Sequence, residues 1–268
     1  MQDLKSILVC TDFSKEASNA LVYAINLADQ INAHLYVLHV KTTSGQVLED
    51  DAIEDNFEQI RHDYMFRRTV RTSFLIRVGL VPEEIKSTIE DKKVDVVILG
   101  MKGASGLHEI KIGSITAHLI TDTSCSIISV PKDCRILTFK EMALAMDSLE
   151  SPNKSELYVI SFLAEVFNPK VHIFTVQENK KREVKSEDER KKKSVFGDIF
   201  KYNTSSFYKI NESDIVSSIK DFGDKHNIDL LVVFHRVDKQ KDPFKRSISK
   251  QLAFSLKLPL LICPVNSP

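Results

Sequence analysis

Residues 100–114 read Gly-Met-Lys-Gly-Ala-Ser-Gly-Leu-His-Glu-Ile-Lys-Ile-Gly-Ser. Gly100 and Gly103 permit positive φ and let backbone N–H groups approach an anion with no Cβ in the way. Gly113-Ser114 opens a predicted helix. Its first N–H groups lack intrahelical partners, and its dipole favours negative charge. Ser114 adds a hydroxyl donor. The two ends of one loop can therefore clamp a polyphosphate between a glycine nest and a helix N-terminus. Taken singly, each glycine is a turn residue and Ser114 an ordinary cap. As a set placed between a buried strand and a helix, they point to phosphate. Lys102, His108 and Lys111 either reach that phosphate or are solvated loop charges. The loop is neither a Walker A sequence, since no G-K-[ST] occurs, nor a G-x-G-x-x-G fingerprint.

The surrounding pattern supplies the elements that must hold this loop. Ser6–Cys10, His34–Val40, Ser73–Val78, Val94–Leu99 and Ser126–Val130 are near-continuous apolar runs, the mark of strands buried on both faces. Helices are expected between them. Ala17, Ala20, Leu21, Ala24, Leu27, Ala28 and Ile31 recur at helical spacing, with Asp12 or Ser14 as the cap. Residues from Leu48 to about Thr69 predict a mostly exposed helix. Pro82-Glu83-Glu84 after Gly79 predicts another helix start. The alternation predicts an α/β fold, a parallel sheet covered on both faces, with its ligand crevice at the strand C-termini.

The order then repeats. Ala143–Asp147 matches Leu8–Asp12, Val171–Val176 matches the strand ending at Val40, and Ser247–Pro264 has the spacing of Ser114–Pro131. Two tandem units are expected, residues 1–134 and 135–268, with Ile136–Phe139 as an added strand or a linker. Residues 177–200 are dense in Lys, Arg and Glu and are either an exposed helix or partly a disordered excursion. The second unit loses the glycines: Phe234, His235, Arg236 and Val237 replace Gly100–Gly103, and Arg246-Ser247 replaces Gly113-Ser114. Arg236, Lys239, Lys241, Lys245 and Arg246 make a basic loop, an anion site or a solvated one.

The loop resembles the G-x2-G-x9-G-[ST] motif of nucleotide-binding members of the universal stress protein family, matched at Gly100, Gly103, Gly113 and Ser114. Asp12 after strand one, Val40 closing strand two and Gly79 before the third helix agree with it. The likeness covers essentially the whole chain as a tandem member whose second unit is degenerate. It implies two doubly wound five-stranded parallel sheets of the adenine nucleotide alpha hydrolase-like kind, related by a pseudo-two-fold and paired through their last strands. It implies ATP across the strand C-termini, with Mg²⁺, or ADP or AMP in its place. Asp12 would lie beside the adenosine, the Val40 backbone against the adenine edge, and Met101 near ribose or base. Gly100, Gly103, Gly113, Ser114 and Ile115 would line the phosphates. Each has a plainer reading: Asp12 a helix cap, Val40 a strand end, Met101 loop packing. The implied role is regulation in a stress response, with an unknown protein partner and at most slow hydrolysis.

Composition fits a folded domain pair: 43% hydrophobic and 28% charged. Lys+Arg and Asp+Glu are 37 each, which gives no electrostatic pull toward nucleic acid or an anionic membrane. No apolar run approaches the roughly 18 residues of a membrane span, and the first residues carry no apolar signal stretch. Cys10, Cys125, Cys134 and Cys263 form no C-x-x-C pair and predict reduced, buried thiols in a cytoplasmic protein. The histidines have no metal-binding spacing. His34, His39 and His172 are expected to pack. A monomer or a homodimer is compatible with this reading.

Overall fold

The computed structural model describes residues 3–42, 49–66, 68–101, 114–132, 134, 138–146, 152–153, 155–177, 196–211, 214–236 and 248–265. In the first half, strands and helices alternate as β1 (Ser6–Cys10), α1 (Lys15–Ile31), β2 (His34–Lys41), α2 (Asp50–Met65), β3 (Thr72–Val78), α3 (Val81–Lys92), β4 (Val96–Gly100), α4 (Ser114–Asp122) and β5 (Ser126–Val130). The second half follows as β6 (Glu141–Met146), α5 (Tyr158–Phe167), β7 (Lys170–Gln177), β8 (Ser205–Asn211), α6 (Ile215–Lys225), β9 (Leu230–Arg236), α7 (Ile248–Ser255) and β10 (Leu260–Val265).

The strands form one ten-stranded sheet in the order β3-β2-β1-β4-β5-β10-β9-β6-β7-β8. Pairing is parallel inside each half and antiparallel only where β5 meets β10. There Ile128 faces Leu261, and these two residues hold the same place in their respective halves. A pseudo-two-fold axis therefore passes between them, and the strand C-termini of the two halves lie on opposite edges of the sheet. Leu21, Phe57 and Leu163 place α1, α2 and α5 over one core layer. Ile85, Leu119, Ile219 and Leu252 place α3, α4, α6 and α7 over the other. Among the described residues, no helix is long and apolar enough to cross a membrane.

The repeat extends to hydrogen bonds. Asp95, just before β4, accepts from the Lys5 and Ser6 N–H groups, and Asp229 accepts from those of Lys140 and Glu141. Asn32 and Asn168, then Lys93 and Asn227, take the left-handed conformation where helices end in each half. The α2 helix is mostly exposed, as its charges predict, and is seated by Ile53, Phe57 and Ile60, which fall at i, i+4, i+7 and are buried. Phe139 is buried beside β6 and is not in a strand, in keeping with the linker reading at that residue. Ile136 and Leu137 lie outside the described residues, as does most of the charged 177–200 segment.

Burial sets the alkaline limit of the fold. Cys263 is fully buried, and burial pushes its thiol up to about 12. Burial first, and the charge of Asp95 second, also push Cys125 upward. In the unfolded chain both ionise near about 8.5. Their stabilisation is therefore fully present below that pH and lost as pH rises above it. Urea unfolding between pH 7 and 10.5 is expected to show stability falling above about pH 9, by roughly 1.4 kcal/mol per pH unit per thiol. Cys263→Ala should flatten the slope, and an unchanged slope would contradict this assignment.

Candidate functional site

From β1 the chain winds outward through β2 to β3, then crosses back to β4 on the other side of β1. The switch point is the gap between β1 and β4, and in sheets of this kind ligands sit outside the strand C-termini at such a gap. Cys10 pairs in register with Leu38, and Val9 with Ile98. Counting forward, Asp12 is level with Val40, and Thr11 with Gly100. The topology thus brings Asp12, Val40, Gly100 and Met101 to one end of three adjacent strands. Ile115 follows in the first turn of α4, half-buried against the core. The backbone of Ser114 opens α4. Gly103 and Gly113, with Lys102, His108 and Lys111, lie outside the described residues.

The turn after β1 is built from side chains that cap backbone groups in succession. Thr11 Oγ1 accepts from the Phe13 N–H (3.0 Å), Asp12 Oδ1 from the Ser14 N–H (3.0 Å), and Ser14 Oγ from the Ala17 N–H (3.2 Å). Ser14 is therefore the cap of α1, and Asp12 is an exposed carboxylate two residues upstream. Phe13 has φ of +59°, a conformation that is strained for a bulky side chain. Among the described residues, the other four non-glycine residues with positive φ end helices, in pairs repeated between the halves. Phe13 ends none. Its ring stacks on His39 (centroids 4.6 Å apart) and meets Phe57 edge-on (5.6 Å). His39 is 8% exposed, and its Nδ1 donates to the Thr11 carbonyl at 2.9 Å.

One expectation changes here. Gly100 is an extended strand residue paired with Val130, and Gly79 alone among the described glycines has positive φ. The other expected property of Gly100, its missing Cβ, is unaffected. Strand alternation turns position 100 to the face of Ile98, under α1. Met101 donates its N–H to the Val130 carbonyl, and its side chain is buried in the layer of Leu99 and Leu119, which favours the packing reading. Cys10, at the end of β1, is held up at about 12 by burial, so it offers no thiolate.

The second half supplies an internal comparison. Its register, Ala145 with Phe174 and Leu144 with Val232, equates Phe234 with Gly100 and Met146 with Thr11. Phe234 is 6% and Met146 4% exposed, both within the core layer under the helices. Two large apolar side chains stand in the second half at the positions that Gly100 and Thr11 hold in the first. Among the described residues, no group of three or more His, Cys, Asp and Glu could hold a metal ion. His172 is buried and bonded to Glu141 and Tyr208, as expected of a packed histidine. Thr11, Phe13 and His39 went unread as site residues. The signal that could have found them is their replacement by Met146, Ser148 and Thr175 in the second half.

Residues 4–131 match the Universal stress protein family. A universal stress protein of Methanocaldococcus jannaschii is 25% identical over 142 residues, covering 48% of this chain and 82% of the relative. One of Bacillus subtilis is 25% identical over 143 residues, covering 46% and 97%. The crystal structure of a universal stress protein from Archaeoglobus fulgidus has a TM-score of 0.77 at 16% identity, covering 98% of this chain and 99% of that one. The chain thus carries a duplicated universal stress protein fold.

Proposed function

We propose that this chain is an ATP-binding regulatory protein of a stress response that holds one adenine nucleotide, in its first half, and does not turn it over efficiently. The observation that carries this reading is the contrast at the two switch points. In the first half, the G-x2-G-x9-G-S loop springs from a strand end with no Cβ at Gly100. In the second half, the buried side chains of Phe234 and Met146 stand at the matching positions. At Gly100 no Cβ stands between the strand end and a ligand. Gly100, Gly103, Gly113, Ser114 and Ile115 would hold the phosphates, the Val40 backbone the adenine edge, and Asp12 the adenosine. Mg²⁺ would screen the phosphates, and ADP or AMP would use the same base contacts. Units 1–134 and 135–268 would divide the work, the second serving as a scaffold. Efficient phosphoryl transfer needs a placed base and a metal-holding acid at the γ-phosphate. Asp12, on the adenosine side, is the main candidate for such a group, with His108 of the loop a distant second.

Purified protein should release an adenine nucleotide on denaturation, identified by mass spectrometry. Stripped protein should regain thermal stability on adding MgATP, by about 2.7 kcal/mol at a hundredfold excess over Kd. A melting temperature indifferent to millimolar MgATP, ADP and AMP would refute the proposal.

A further inference from the structure

The ladder between β1 and β2 stops one rung early, and two side chains stop it. In β2 the backbone groups of even-numbered residues face β1: the His34 N–H donates to the Lys5 carbonyl, and the Thr11 N–H to the Leu38 carbonyl at 2.9 Å. A continuing parallel ladder would next take the Val40 N–H to the Thr11 carbonyl, then the Phe13 N–H to the Val40 carbonyl. The Thr11 carbonyl accepts instead from His39 Nδ1, and the Phe13 N–H donates instead to Thr11 Oγ1. The rungs that would use up both backbone groups of Val40 are diverted, and those groups face the gap above β1.

The second half shows the same ladder without the diversion. Met146 replaces Thr11 and cannot accept through a hydroxyl. Thr175 replaces His39 and has no ring. There the register runs one residue further, pairing Met146 with Thr175, whereas the first half ends with Cys10 and Leu38. That extra pairing needs the Val176 N–H on the Met146 carbonyl, the rung missing at Val40. Features that serve the fold alone, such as Asp95 and Asp229, occur in both halves. His39, Thr11 and Phe13 occur only in the half with the glycine loop.

We infer that His39 and Thr11 are positioning residues for the base site: they hold β1 and β2 apart at Val40 so that its N–H and C=O stay available side by side. A donor and an acceptor on one residue match the acceptor N1 and the amino group of adenine, and clash with the reversed edge of guanine. The Phe13 ring, stacked on His39 and braced by Phe57, holds the turn in its strained form. This inference rests on the reading that an adenine nucleotide lies in this crevice.

Two variants separate the roles of His39. His39→Phe keeps a ring against Phe13 and removes the donor. His39→Asn returns a donor near the Nδ1 position. In nucleotide-free protein, hydrogen exchange of the Val40 amide should be fast in wild type, slow in His39→Phe as the rung closes, and fast again in His39→Asn. ATP affinity should fall about tenfold in His39→Phe, the effect of one lost hydrogen bond, with loss of preference for ATP over GTP. His39→Asn should restore both in large part. If Val40 exchange and ATP affinity in His39→Phe equal those of wild type, the inference is wrong, whatever happens to the melting temperature. If wild type binds no nucleotide while Val40 exchange still slows in His39→Phe, the positioning stands and the nucleotide reading falls.

Discussion

Gly100→Phe is expected to abolish stabilisation by adenine nucleotide while leaving the unliganded protein folded. The substitution installs at the first switch point the residue that the chain already carries at the second. There Phe234 is buried among core side chains within the same strand geometry. At position 100 the ring would project under α1, beside Thr11 and Phe13, into the space assigned to ligand. Wild type at a hundredfold excess of MgATP over Kd should gain about 2.7 kcal/mol. For a chain of this size that is roughly 5–10 °C in melting temperature, at about 2–4 °C per kcal/mol. The variant should gain nothing. Gly113→Val serves as the second variant, because in the proposed site it adds a Cβ at the phosphate end of the motif. A full nucleotide-induced shift in both variants would place the ligand elsewhere.

Leu261→Ala is expected to lower the stability of the whole chain, not of the second half alone. Leu261 is fully buried and faces Ile128 across the pseudo-two-fold. The core layer that holds it runs without a break from Ile7 and Val9 to Leu144 and Val232. Removing three carbons from such a site costs about 2–5 kcal/mol. Because the sheet is continuous, urea unfolding should remain one cooperative transition, moved to lower midpoint at unchanged slope. Two transitions, with only the later half of the chain shifted, would show that the halves fold independently.

The architecture was largely legible because buried parallel strands announce themselves as apolar runs, and because the chain spells its pattern twice. The join between the halves was legible only through the family resemblance; no local pattern states that β5 pairs with β10. The helix α2 was legible as a mostly exposed element; that only three buried residues, Ile53, Phe57 and Ile60, seat it was masked by the charges on its remaining faces. Gly100 was read both for positive φ and for its missing Cβ; its extended backbone leaves the second, which also distinguishes it from Phe234. Thr11 and His39 stayed hidden for a different reason. His39 acts through a hydrogen bond to a carbonyl 28 residues away in sequence. That contact exists only once β1 and β2 are paired, so taken alone the residue reads as an ordinary packed histidine. The second half exposes it, because it keeps the counterparts of Asp12 and Val40 and drops those of Thr11, Phe13 and His39.

One half of the chain is expected to bind nucleotide and the other not to. Isothermal titration of nucleotide-stripped protein with MgATP should give one site per chain, lost in Gly100→Phe. Two sites of comparable affinity, or one site that survives Gly100→Phe, would contradict it.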